Sequence, residues 1–170
     1  MVNSSWQLIN KGSVKDVYSH GGDYIFDYSD RYSIFDWGEM PDKLNNKGKS
    51  LAVMAHLFFK YFGKPDLWQD IDRKKITLNS DILELLQKQG LSHHSQGLIN
   101  DRGNDLNSEK AQTFLKIEPV EIHRPVFENN KYDYSFYKTR PIGSLVPLEV
   151  IFRFGMPKGS SLLRLSLIHI

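Results

Sequence analysis

Apolar and polar positions alternate in three short runs near the start of the chain: Trp6-Gln7-Leu8-Ile9, Val14 to Tyr18, and Tyr24-Ile25-Phe26-Asp27-Tyr28. Successive side chains of a strand point to opposite faces, so this alternation predicts three strands. In the second run Lys15 and Val17 share one face, and Val14, Asp16 and Tyr18 share the other. Gly21-Gly22 separates the second run from the third. Both glycines tolerate positive φ, which predicts a two-residue hairpin. Lys11-Gly12-Ser13 predicts a turn between the first two runs, and the whole reads as a β-meander.

The period then changes. Asn45 to Ser50 lead into Leu51, Met54, Phe58, Tyr61 and Phe62, which recur at helical spacing before Gly63 and Pro65. That predicts a helix whose apolar stripe packs in the core. Lys47 and Lys49 sit near its start, against the helix macrodipole. A nearby anionic ligand or plain solvation would each account for them. A second helix is expected from Asp81 to Gln89, with Ser80 as N-cap and Gly90 as stop. Ser92 to Asp105 is polar and carries Gly97 and Gly103, so a loop or hairpin is expected. Phe114 to Glu118 and Val120 to Ile122 read as strand interrupted by Pro119, which favours an edge or a bulge. Asn129 to Tyr137 reads as an aromatic, charged hairpin or lid. The β-branched run from Val146 to Arg153 predicts a buried strand, followed by a loop with Gly155, Pro157 and Gly159.

Composition narrows the class. The 170 residues can bury one good core, or one domain and the start of another. Charged residues are 25% and aromatics 12%, a globular and not a disordered balance. A formal net charge of +2 is too small to argue for nucleic acid, and none is expected as a partner. The six histidines show no metal-ligand spacing with carboxylates, so no protein metal site is read from them. The chain has no cysteine, which excludes disulfides and thiolate chemistry. No apolar run approaches the ~20 residues of a membrane span, and Met1 to Gln7 lacks a signal pattern. A cytoplasmic protein with no membrane partner is expected.

Three places carry candidate chemistry. A strand–glycine turn–strand such as Lys11 to Lys15 can close over a nucleotide, offering backbone N–H groups and the Lys15 cation to phosphates. A plain hairpin turn is the competing explanation. Asp30 and Asp36 flank Arg31 and Ser33 in a segment denser in polar groups than a connector needs. It reads either as an Asp–Arg pair capping a turn or as a ligand-facing strand end. Arg153 ends an apolar strand ahead of Ser160 and Ser161, an arrangement that can hold a phosphate. A strand whose last residue is solvated is the alternative.

The order of these blocks is more specific than any one of them. Gly12-Ser13-Val14-Lys15-Asp16-Val17-Tyr18, Ser29 to Asp36, Asn46-Lys47-Gly48-Lys49 before a helix with Phe58-Phe59, and Pro147-Leu148-Glu149-Val150 with Arg153 and Gly159-Ser160 follow one another. This succession resembles the SAICAR synthetases (phosphoribosylaminoimidazole-succinocarboxamide synthases) across most of residues 6 to 163. The resemblance implies an α+β fold: an antiparallel N-terminal sheet with a helix, like a kinase small lobe, and the start of a second α+β domain. It implies an ATP-dependent ligase that joins L-aspartate to carboxyaminoimidazole ribonucleotide, with Mg²⁺. Gly12 and Ser13 would belong to the turn over ATP, Lys15 would face phosphate and Val17 would line the adenine pocket. Arg153 with Ser160 or Ser161 would grip the ribonucleotide phosphate. Asp30, Ser33, Asp36 and Lys47 are further ligand-facing candidates. A homo-oligomer is possible in the full-length family.

The chain also departs from the pattern. Ser13 stands where many members have lysine. The loop from Arg153 to Gly159 is one residue longer than usual, and Lys158 replaces a small residue. The family's Asp-x-Lys-x-Glu-Phe-Gly signature is absent, so the catalytic residues are expected beyond the chain end and the fragment is expected not to turn over. Leu165 to Ile170 resembles read-through of a sequencing adapter, with native sequence expected to end near Leu163 to Leu165. The expected division is an ATP-binding region over 1–90, an insertion over 91–142, the start of the second domain over 143–164 and a non-native tail over 165–170. A kinase-like phosphotransferase is the rival enzyme. A nucleotide- or RNA-binding module on the aromatics from Tyr132 to Tyr137 is the rival without catalysis.

Overall fold

A five-stranded antiparallel sheet organises the N-terminal part of the chain. The computed structural model describes residues 5–34, 38–71, 79–139 and 141–146. Strands β1 (Gln7–Lys11), β2 (Lys15–His20) and β3 (Asp23–Tyr28) form the expected meander. Gly21 and Gly22 make the β2–β3 turn with φ of 61° and 92°. Helices α1 (Lys47–Phe62), α2 (Pro65–Gln69) and α3 (Ser80–Gln89) follow. Pro65 does more than stop α1, since it occupies the first turn of α2, where its missing N–H costs nothing. At α3 the cap is Asn79 and not Ser80: the Asn79 side chain accepts from the Asp81 N–H. Gly90 closes α3 at φ 73°, as expected.

The sheet is completed by β4 (Ser95–Ile99) and β5 (Phe114–Ile117), giving the order β1-β2-β3-β5-β4. The polar stretch after Ser92 therefore contains a strand. Moreover, β5 is interior and not an edge, because it pairs with β3 on one side and β4 on the other. It ends at Ile117, two residues before Pro119, so the missing proline N–H never meets the ladder. The first compact unit accordingly runs to Val120, and the second begins at Glu121. The expected boundary at 90 falls inside the first unit, and the 91–142 stretch is divided between the two.

Two clusters fill the faces of the sheet. On one, Ala52 of α1 meets Leu98, Ala111, Leu115 and Ile117, with Phe26, Tyr28 and Phe59 packed against them. On the other, Trp6, Ile25, Ile99 and Phe114 are buried beneath Tyr18. The apolar stripe expected in the core faces the other way: Met54, Phe58 and Tyr61 are each about half exposed. The buried residues of α1 are the small ones, Gly48 and Ala52.

In the second unit, β6 (Phe127–Glu128) and β7 (Lys131–Tyr132) form a hairpin through Asn129 and Asn130, both at positive φ. The His123 and Phe136 rings stack at 4.0 Å, beside a 3₁₀ turn over Ser135–Thr139. The strand expected from Val146 to Arg153 lies, beyond Val146, outside the described residues, as does everything to Ile170.

Candidate functional site

The β1–β2 turn is tight for a local reason. The Gly12 N–H donates to the Lys15 carbonyl at 3.1 Å, and a Cβ on Gly12 would sit 2.6 Å from that same oxygen. Only glycine lets the chain fold back this closely. Ser13, at the tip, is exposed.

Lys15 and Val17 lie on the face that α1 covers farther along, since they pair with Tyr28 and Phe26 across β3. The Lys15 ammonium stands 4.3 Å from the centre of the Phe26 ring and 5.8 Å from that of Tyr28. Ring faces attract cations, but burial disfavours the charge, and desolvation pulls the Lys15 pKa below the ordinary lysine range. Among the described residues no carboxylate forms an ion pair with Lys15. A half-buried cation with no counter-ion among the described residues, beside a glycine turn, suits a bound phosphate.

The opposite face holds the turn in place. Asp16 accepts two hydrogen bonds from Arg31, from Nη2 at 2.5 Å and from Nη1 at 3.2 Å. Arg31 Nη2 also donates to the Gly12 carbonyl at 2.7 Å. Glu39 lies 3.7 Å from Arg31 Nε. The Arg31 pKa is raised, chiefly by the bond to Asp16. Sequence reasoning placed Arg31 between Asp30 and Asp36; its partner is the Asp16 carboxylate on β2. The period-two pattern did put Asp16 opposite Lys15, which was the available signal.

Asp30 and Lys47 meet at the start of α1. The Gly48 N–H donates to Asp30 Oδ1 at 2.8 Å, so Asp30 supplies the negative charge that the first turn of α1 lacks. Lys47 Nζ donates to the Ser29 and Arg31 carbonyls at 3.2 and 2.7 Å. Lys47 thus finds its partners within the protein. Ser33 is exposed and bridges Glu39 across a short antiparallel contact. Asp36, Arg153, Ser160 and Ser161 lie outside the described residues.

ATP and Mg²⁺ can be weighed against these groups. The Gly12 turn and Lys15 fit a nucleotide phosphate. For a metal, the described residues contain no cluster of three or more His, Cys, Asp or Glu side chains. Asp16 and Asp30 are committed to Arg31 and α1. Among the described residues no helix is long and apolar enough to cross a membrane.

Comparison with known proteins identifies the family. The family model described as SAICAR synthetase matches residues 8–164. A protein of Archaeoglobus fulgidus, provisionally named a phosphoribosylaminoimidazole-succinocarboxamide synthase, is 33% identical over 159 residues, which is 90% of this chain and 40% of the relative. The synthase of that name from Thermoplasma acidophilum is 41% identical over 58 residues, covering 34% of this chain and 19% of its own length. One from Salinispora arenicola is 40% identical over 53 residues, covering 31% and 19%. The chain thus spans two fifths or less of the length of these relatives.

Proposed function

The chain belongs to the SAICAR synthetase family, and on that premise we propose that it carries the nucleotide-holding part of an ATP-dependent ligase of purine biosynthesis. The reaction joins L-aspartate to carboxyaminoimidazole ribonucleotide and yields SAICAR, ADP and phosphate in the cytoplasm. The observation that carries the reading is the pairing of the Gly12 turn with the Lys15 cation, which forms no ion pair among the described residues. The turn offers backbone donors and Lys15 a point charge to the phosphates, while Val17 on the same face presents apolar surface to the base. Arg31 keeps the turn in position from behind by holding Asp16 and the Gly12 carbonyl.

ATP, when bound, supplies the phosphoryl group that activates the substrate carboxylate. Mg²⁺, when bound with the nucleotide, would help offset the charge of the triphosphate. The residues of this chain act by positioning: the turn orients the phosphates and Lys15 offsets their charge. Arg153 with Ser160 or Ser161 is proposed to hold the 5′-phosphate of the ribonucleotide, and Ser33 and Asp36 are proposed to face a ligand.

Binding is the direct test. Calorimetric titration of the 170-residue chain with Mg·ATP should give saturable binding, and Lys15→Met should weaken it by about tenfold or more while the far-ultraviolet spectrum stays unchanged. Equal affinity in the two proteins would remove Lys15 from the phosphate site. Binding that instead favours RNA and falls steeply with salt would replace the ligase reading with the nucleic-acid one.

A further inference from the structure

A basic groove lies at the other end of α1, beside β4. His56, Lys60 and Lys64 line it from α1 and the residue just past its cap, and His93, Ser95 and Gln96 line it from the chain running into β4. Its volume is about 310 Å³. A second hollow of about 380 Å³ shares His56, Lys60 and Gln96 and continues toward Asn107 and Ser108.

The backbone explains why the groove is there. A Cβ on Gly90 would lie 2.0 Å from the Gly63 carbonyl oxygen, so the ends of α1 and α3 touch main chain to main chain. That contact brings His93 against the exit of α1, where a Cβ on Gly63 would come 3.0 Å from its Nε2. The His93 ring also sits 5.2 Å from the ring of Phe59. Gly97, at φ 126° beside the irregularity in β4, places no side chain in the groove.

Four basic side chains thus converge on one concavity, and His56 and Lys60 stand one helical turn apart on a single face of α1. Among the described residues none of the four forms an ion pair with a carboxylate. The acids close by are otherwise placed. Asp23 is bonded to Lys116 at 2.8 Å and to the Gln96 amide at 3.0 Å, and Asp105 lines only the second hollow. The His56 pKa is lowered first by burial and then by the positive potential from Lys60 and His93, and an anion in the groove would offset that potential. Lys15 does not line the groove; its ammonium lies over the Phe26 ring, and His94, next to His93, feels the charge of both Lys15 and His93.

We propose that the groove between α1 and β4 is a second anion site, which takes a phosphate or diphosphate group of a phosphorylated small molecule through His56, Lys60, Lys64 and His93. The Ser95 hydroxyl and the Gln96 side chain offer neutral partners at the rim. This site does not depend on the nucleotide reading of the Gly12 turn.

The test is a titration of the 170-residue chain with sodium phosphate and with sodium pyrophosphate, followed by the histidine ring and backbone amide signals in NMR. Sodium chloride at matched ionic strength is the control. Saturable shifts at His56, His93 and Gly97 are expected. Lys60→Gln, at an exposed position, should weaken them by about fivefold to tenfold. Lys15→Met should leave them intact. Tighter pyrophosphate would identify a diphosphate site, and equal affinities a site for one phosphoryl group. Shifts that rise linearly and match chloride, or that survive both Lys60→Gln and Lys64→Gln unchanged, would overturn the proposal.

Discussion

The Arg31 guanidinium straddles the Asp16 carboxylate, with Nη2 2.5 Å from Oδ1 and Nη1 3.2 Å from Oδ2. Both side chains are only 14% exposed, and the same Nη2 holds the Gly12 carbonyl. One side chain therefore ties the glycine turn to the segment that follows β3. Removing it leaves a largely buried carboxylate without its partner, which costs more than the pair contributes. Arg31→Met should destabilise the protein by about 2–4 kcal/mol, and adding Asp16→Leu should recover part of that loss. Urea denaturation of the two single variants and the double variant measures this. Single variants within about 0.5 kcal/mol of the parent would mean that the pair is solvated in practice.

The start of α1 depends on two residues of different kinds. Asp30 replaces a missing local cap, and Asp30→Ala should cost about 1–2 kcal/mol through the lost bond to the Gly48 N–H and the lost charge at the helix end. Gly48 is needed for space. A Cβ there would lie 2.2 Å from the Tyr28 carbonyl oxygen, a backbone atom that no rotamer change can move aside. Gly48→Ala should therefore cost at least about 3 kcal/mol or prevent folding. Thermal unfolding compares the two, and a Gly48→Ala protein as stable as the parent would show that α1 can lift off β3 freely.

The same contact explains what the sequence revealed and what it hid. The β-meander was legible because its period of two and the Gly21-Gly22 turn are local signals. The existence and ends of α1 were legible for the same reason. Its buried face was not. The large residues Met54, Phe58 and Tyr61 looked like a core stripe, yet α1 lies so close to the sheet that small residues must face it. The pairing of β5 with β3 was hidden too, since those partners lie more than eighty residues apart. At the candidate site the Gly12 turn and the face shared by Lys15 and Val17 could be read from alternation. The Arg31–Asp16 pair and the His56–His93 groove could not, because each joins residues that are remote in sequence.

A direct consequence follows for α1. Ala52 is fully buried, whereas Phe58 is 52% exposed. Ala52→Leu should overpack the helix–sheet contact and destabilise by about 1–3 kcal/mol. Phe58→Ser gives up only a half-exposed ring and its stacking on Phe62 at 5.9 Å, so it should cost less than about 1 kcal/mol. Chemical denaturation decides between this assignment and the expected one, which requires the reverse order.

Asp27 gives a prediction about pH. It lies on the same face of the sheet as its cross-strand neighbour Asp16, and Thr113 Oγ1 donates to its Oδ1 at 2.5 Å. Its pKa is raised, first by burial and also by the Asp16 charge, against the opposing pull of the Thr113 bond and Arg31. A carboxyl whose folded pKa exceeds its unfolded value favours the fold while protonated. That contribution is complete below the unfolded pKa and is lost as pH rises through the folded one. At neutral pH the ionised Asp27 is therefore a net cost. Asp27→Asn removes the charge and keeps an amide oxygen to accept from Thr113. The variant should be more stable than the parent at pH 7, with the difference shrinking toward zero as pH falls below the ordinary carboxylate range. Urea denaturation of both proteins across that range measures it. A variant less stable at neutral pH would mean that attraction to Arg31 outweighs the burial of the Asp27 charge.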